Sequence, residues 1–329
     1  LEAAKISVSG RLLTLGLLLA AVLPHAQADE TPRSALQKAM ERRFVRAATM
    51  IQAQQITELG GGTLQLKVEI NTKGHQRSTV LKPLSFQGVI SFDDRRQWIT
   101  LLPDERKAMV QPSPTSFRAP VRERMGLVDR NYELSFERGA EVANRKTLVI
   151  LARPRAQEMP RRRFFVDEET FLVLRIEVMP RTNEVERLLD TMKIEFEPGN
   201  GRRNLAPDLQ GFQIERMEPP KSASPERIRA AVGFTPRKLT NLPAGFVLTD
   251  LQLVGEKELV MVAYRLTDGL SNVTVYQFSP PKRGEGGPRP MPGGTVASDG
   301  TRILVVGDAP STVRRLIQEI FVQPAQNRP

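Results

Sequence analysis

Residues 63–70 alternate without a break, with Leu64, Leu66, Val68 and Ile70 on one side and Gln65, Lys67 and Glu69 on the other. A period of two is that of a half-buried antiparallel strand. Similar runs are expected to form strands over 85–92, 97–102, 107–111, 132–136, 147–152, 163–166, 172–178 and 192–196, spaced as a meander of hairpins. A sheet with one apolar face needs a cover. The segment from Ser34 to about Thr57 is expected to supply it as a single helix. Leu36, Met40, Phe44, Ala47, Ala48 and Ile51 recur there at the three-to-four spacing of one face. Ser34 is placed to cap that helix, Arg42, Arg43 and Arg46 occupy its other face, and Gly60-Gly61-Gly62 ends it. The fold class is therefore α+β, with an N-terminal curved antiparallel half-barrel sheet covering a helix. Such a sheet leaves a hollow, and Leu64, Leu66, Val68 and Trp98 are the candidates for its wall. The hollow either admits an acyl chain or apolar peptide segment or is filled by side chains; the pattern alone leaves both open.

A second, smaller unit follows. Pro219-Pro220-Lys221-Ser222-Ala223-Ser224-Pro225 has the composition of an extended linker. It places a large domain at 31–218, a linker at 219–226 and a small α+β domain at 227–323. Strands are expected over 247–254, 259–266, 273–278 and 302–306, with turns at Asp268-Gly269 and Asp299-Gly300. Asp308 or Ser311 opens a terminal helix, in which Val313, Leu316, Ile317, Ile320 and Phe321 form an apolar stripe that packs on the sheet. The Pro- and Gly-dense stretch 280–294 reads as a loop. Its Arg283 and Arg289, with Arg314 and Arg315 of the terminal helix, are candidate contacts for an acidic partner.

The front of the chain reads as an export signal. Lys5 and Arg11 precede the apolar run 12–23, Pro24 breaks it, and Ala26-Gln27-Ala28 is a small-x-small cleavage site. Cleavage after Ala28 is expected, giving a protein that works outside the cytoplasm. The run falls short of the roughly 20 residues needed to span a bilayer.

Charge and absences narrow the chemistry. A formal net charge of +11 favours anionic partners, and export makes nucleic acid the least suitable of them. The chain has no cysteine and two histidines, and His25 falls in the signal. His75 alone, in a turn-like stretch, supports neither a nucleophilic triad nor a Cys/His zinc site. The acidic pairs Asp93-Asp94 and Asp104-Glu105 and the triplet Asp167-Glu168-Glu169 sit between strands, where turn chemistry accounts for them. The reading is a binding protein with no cofactor and no metal, not an enzyme.

Three stretches carry a resemblance. Residues 98–104 (WITLLPD), leading to Lys107-Ala108-Met109-Val110, resemble a strand pair of the LolA-like lipoprotein-carrier superfamily. Residues 143–146, 164–167 and 170–174 are similar to that superfamily's hairpin, with Asn144 and Phe171 where glycines are usual. Residues 242–248, 268–276 and 305–310 resemble the C-terminal domain of the sigma-E regulatory proteins, the MucB/RseB family. The resemblance implies a LolA-like half-barrel joined to a small C-terminal domain in the periplasm. It implies binding to the periplasmic segment of a membrane-spanning anti-sigma factor, which keeps an envelope-stress sigma factor captive. Lipid or lipopolysaccharide is implied as the signal that loosens the complex. A periplasmic carrier of lipid or of lipoprotein acyl chains is the alternative.

Overall fold

The structure, a computed structural model, describes residues 30–41, 46–56, 62–179, 185–197, 203–217, 219, 221–237, 239, 242–243, 245–255, 260–279 and 295–323. The expected signal and its cleavage site lie outside the described residues. Among those described, no helix is long and apolar enough to cross a membrane.

The large sheet starts from helix α1 (Pro32–Glu41) and strands β1 (Ala48–Ile56), β2 (Gly62–Ile70), β3 (Gln76–Lys82), β4 (Ile90–Asp93), β5 (Gln97–Leu102) and β6 (Lys107–Pro112). Helix α2 (Val121–Asn131) follows, then β7 (Tyr132–Val142), β8 (Arg145–Pro154), β9 (Arg161–Asp167), β10 (Val173–Met179), β11 (Glu186–Phe196) and β12 (Gln213–Arg216). The twelve strands run in the order β12-β6-β5-β4-β3-β2-β1-β11-β10-β9-β8-β7. Each neighbouring pair is antiparallel except β12 with β6. The expected half-barrel over a helix is present.

Two expectations need correction. The helix expected from Ser34 to about Thr57 stops at Glu41, and Ala48–Ile56 is a strand. Its register explains why: β1 pairs with β2 on one side and β11 on the other, so two ladders satisfy its backbone. Ala48, Met50 and Gln52 are buried along it with the period of a strand. The strand expected over 85–92 is a 3-10 turn, Leu84–Phe86, followed by the short β4. The turn-to-strand switch follows Gly88, whose φ of 83° no strand accommodates.

The cover is also two helices and not one, because α2 joins α1. Ala35, Leu36 and Ala39 of α1 and Met125 and Val128 of α2 bury against Tyr132, Ile150, Ala152, Phe164 and Val166 of β7 to β9. Elsewhere on β7 to β11 charges pair across strands. Arg163 reaches Glu137 at 2.6 Å and Glu177 at 3.7 Å, Arg187 reaches Glu177 at 3.6 Å, and Arg175 reaches Asp190 at 2.7 Å. Arg163, Arg175 and Arg187 thereby find partners within the sheet.

The small sheet holds β13 (Lys221–Ser222), β14 (Val247–Val254), β15 (Met261–Thr267), β16 (Asn272–Phe278), β17 (Thr295–Val296) and β18 (Arg302–Gly307), in the order β13-β14-β15-β16-β18-β17. The expected linker contributes structure of its own. Lys221 and Ser222 pair with Leu253 and Gln252, and Pro225 opens helix α3 (Pro225–Val232), capped by the Ser224 hydroxyl. The terminal helix α4 (Ser311–Val322) buries Val313, Ile317 and Phe321 against the sheet.

Candidate functional site

Cross-strand register decides which wall candidates share a face. Ile70 pairs with Gln76, Gln76 with Asp93 and Asp93 with Trp98. Directly opposed residues lie on one face, so Trp98 lies on the face of Leu66, Val68 and Ile70. The four candidates differ in surroundings. Leu66 and Val68 are buried among Met50, Ile70, Val80, Val149, Phe165 and Leu174, and Leu64 packs half-buried at their edge. Trp98 is half-buried three strands away, and its Nε1 donates to Thr100 Oγ1 at 2.9 Å. Ser78, Ser91, Thr100 and Met109, on the same face, are also half-buried. The face therefore passes from a packed floor at β1 and β2 to a mixed apolar and hydroxyl surface at β3 to β6. The residues packed with α1 and α2 come from the opposite end of the sheet, β7 to β9, and from Leu270.

Arg283 and Arg289 lie outside the described residues. Arg314 donates from Nε to the Ala309 carbonyl at 3.1 Å. Arg315 is 75% exposed, with Glu319 one turn on at 3.9 Å.

The junction between the two sheets gave no signal in the sequence beyond the motif at 268–276. The turn Asp268-Gly269-Leu270-Ser271 joins β15 to β16 and enters the large sheet's side of the junction. Asp268 Oδ1 accepts from the Leu270 and Ser271 amides at 2.9 and 2.6 Å, which shapes the turn. Its Oδ2 accepts from the Tyr132 hydroxyl at 2.7 Å and lies 3.8 Å from Arg162 Nη2. Arg162 Nη2 also bonds the Ser271 hydroxyl. Arg124 Nε donates to the Gly269 carbonyl at 3.2 Å, and Asn131 Nδ2 donates to the carbonyls of Gly245 and Asp268 at 2.9 and 3.0 Å. Leu270 packs with the two helices. In return Met159, from the loop between β8 and β9, is buried in the small sheet's core beside Ile228 and Tyr264. Each half thus lends one loop to the core of the other.

Tyr132, Arg124, Arg162, Asp268 and Ser271 of this junction are buried. Burial pulls the Arg124 guanidinium down to about 10, with Arg118 nearby adding to the effect, so it remains charged at neutral pH. Burial pushes the Tyr132 phenol up and keeps it a donor. Gly269 has φ of 99°, and a Cβ there would stand 2.6 Å from the Arg124 carbonyl oxygen.

A second buried cluster explains the hairpin motif. Arg145 donates from Nε to Asp167 Oδ1 at 2.7 Å, and Asp167 Oδ2 accepts from the Thr170 amide at 2.9 Å and hydroxyl at 2.6 Å. Burial works to raise the Asp167 carboxyl, but Arg145 and Thr170 outweigh it and hold the group below the ordinary carboxylate range. Ala143, Asn144 and Phe171 have φ of 50°, 60° and 57°. Asn144 and Phe171 are therefore in the left-handed conformation that favours glycine.

Residues 84–209 match the family model described as the MucB/RseB N-terminal domain. Among solved structures, MucB is similar at 16% identity and TM-score 0.54, over 88% of this chain and 96% of that one. The complex of Pseudomonas aeruginosa MucA and MucB is similar at 16% identity and TM-score 0.52, over 87% of this chain and 96% of that one. MucB in complex with MucA(peri) is similar at 16% identity and TM-score 0.52, over 86% and 96%. No curated protein sequence matches significantly.

Proposed function

We propose, for a chain that is MucB/RseB-like in its N-terminal sequence and in fold, that it is a non-enzymatic periplasmic regulator. It binds the periplasmic segment of a membrane-spanning anti-sigma factor and so keeps an envelope-stress sigma factor captive. The supporting observation is the fold shared over 88% of this chain with MucB, which is also solved as a complex with MucA(peri). His75 packs edge-on against Phe92, with ring centres 6.1 Å apart. Arg283, Arg289, Arg314 and Arg315 are proposed partner contacts, and exposed Arg315 is the cleanest test among them. Arg315→Glu should slow association with an acidic segment most at low salt, where screening is weakest. The deciding experiment is titration of the protein with the periplasmic segment of a candidate anti-sigma factor. No saturable binding overturns the reading.

A second reading, a carrier of lipid or lipoprotein acyl chains, is favoured by one observation: the half-buried Trp98 face at β3 to β6. Here Leu64, Leu66, Val68 and Trp98 would line the ligand site, and in the regulator the same site would sense lipid or lipopolysaccharide. Trp98 is the chain's one tryptophan, so its fluorescence reports directly on a ligand at this face. A fatty acid that leaves Trp98 emission unchanged at saturation removes the lipid site.

A further inference from the structure

Residues 203–212 have the pattern of a strand without a strand's ladder. Leu205 is buried and Pro207 and Leu209 are half-buried, while Asn204, Ala206, Asp208 and Gln210 are exposed, a period of two. Among the described residues, no backbone hydrogen bond joins 204–212 to the sheet. The Ala206 and Gln210 amides donate instead to the side chains of Asn204 and Asp208, at 3.1 and 3.0 Å. The Phe212 amide donates to the Leu209 carbonyl at 3.2 Å.

The segment is tied at its two ends. Asn71 Nδ2 donates to the Arg203 carbonyl at 3.0 Å, and Arg203 Nη1 lies 3.0 Å from buried Glu69. At the far end the Gln213 amide donates to the Arg106 carbonyl at 2.7 Å, and β12 runs beside β6. Direct pairing forms the row Glu69, Arg77, Phe92, Ile99, Val110 and Arg216, which lies on one face. From β2 to β12 is five strand spacings, roughly 24 Å. Gln213 is offset from that row by three residues, so the diagonal is roughly 26 Å, and ten extended residues reach about 33 Å. The segment is long enough to cross the sheet, with little slack. The face it crosses is apolar. Phe92, Leu101, Ala108 and Val110 are buried there and Ile99 is half-buried, on the side opposite Trp98 and Thr100.

We propose that residues 203–217 are a detachable strap, seated in a groove that takes an extended peptide from a protein partner. The strap is the template for that peptide: a basic residue, held at Glu69 as Arg203 is, followed by apolar side chains at alternate positions. With no ladder to break over 204–212, the strap lifts while β1 to β11 stay paired. β12, whose residues are all exposed, lifts with it. The uncovered floor of Phe92, Ile99, Leu101, Ala108 and Val110 then receives the partner's apolar side chains. The groove is on the face opposite Trp98, so the proposal does not rest on the lipid reading, and it names no anti-sigma factor.

The probe is a fluorescein-labelled peptide of residues 203–217, titrated into the full chain and followed by fluorescence anisotropy. The parent protein should bind it weakly, because its own strap competes at the high effective concentration of a tethered segment. The full-chain variant Leu205→Asp, which loosens the strap, should keep a cooperative thermal transition and bind the peptide at least tenfold more tightly than the parent does. The same peptide carrying Leu205→Asp should not bind. A full-chain variant that binds no more tightly than the parent overturns the proposal. So does equal binding of the two peptides. Loss of the folded transition in the variant also overturns it, since the strap would then be an inseparable part of the core.

Discussion

Tyr132 on the large sheet donates its hydroxyl to Asp268 on the small sheet at 2.7 Å, with both residues buried. That bond sits at the centre of the reciprocal loop exchange. The junction is therefore built into the buried cores of both halves.

Removing the arginine beside it should be costly. Arg162→Ala leaves the Asp268 carboxylate buried with one partner fewer, and breaking such a pair costs about 3 kcal/mol. Tyr132→Phe, which keeps the ring, should cost about 1 kcal/mol. Urea unfolding followed by Trp98 fluorescence and far-ultraviolet circular dichroism is expected to show one shared transition in the parent protein. A midpoint unmoved by Arg162→Ala would refute the role of the junction.

Gly269 and Gly300 share a positive φ but not their surroundings. Alanine at Gly269 meets the Arg124 carbonyl at 2.6 Å, whereas nothing lies within 4 Å of a Cβ at Gly300. Gly300→Ala should cost about 1 kcal/mol, the conformational penalty alone. Gly269→Ala should cost at least about 2 kcal/mol, because the backbone of α2 must shift. Thermal melts of the two variants check the difference, and equal losses would count against the close approach.

The hairpin turn Ala143-Asn144 has φ positive at both residues, as in a type I′ turn. Asn144→Gly is expected to stabilise by up to about 0.5 kcal/mol, the relief being partly offset by the freer unfolded chain. Phe171→Gly should destabilise despite its similar φ. Phe171 packs against the helix cluster and lies under Lys38, whose Nζ is 4.5 Å from the ring centre. Opposite signs in chemical denaturation are the expected outcome.

Acid should weaken the protein partly through Asp167. Its folded pKa is depressed by Arg145 and Thr170, so its contribution is fully present above the ordinary aspartate value of about 3.9. That contribution is lost as pH falls through the lower folded value. Asp167→Asn should cost about 2 kcal/mol at neutral pH, and the gap from the parent protein should narrow on acidification. A gap constant from pH 7 to pH 2 would refute the assignment.

The elements legible from residues alone are those whose signal is local. β5 and β14 occupy the residues expected of them, because alternation and flanking turn residues bracket them. The stripe of α4 is equally local: Val313, Ile317 and Phe321 recur one turn apart and are buried. The glycine-favouring positions at Asn144 and Phe171 were marked by the hairpin motif before their φ angles gave the reason. The remainder was decided by partners distant in the chain. Residues 48–56 carry apolar side chains compatible with a helical face, yet the ladders offered by residues 62–70 and 189–196 make them a strand. The junction was hidden for the same reason. Tyr132, Arg162 and Asp268 lie far apart in the sequence, and each reads there as an ordinary strand or turn residue. Only the folded chain brings them into one buried volume, where a buried charge must find its partners.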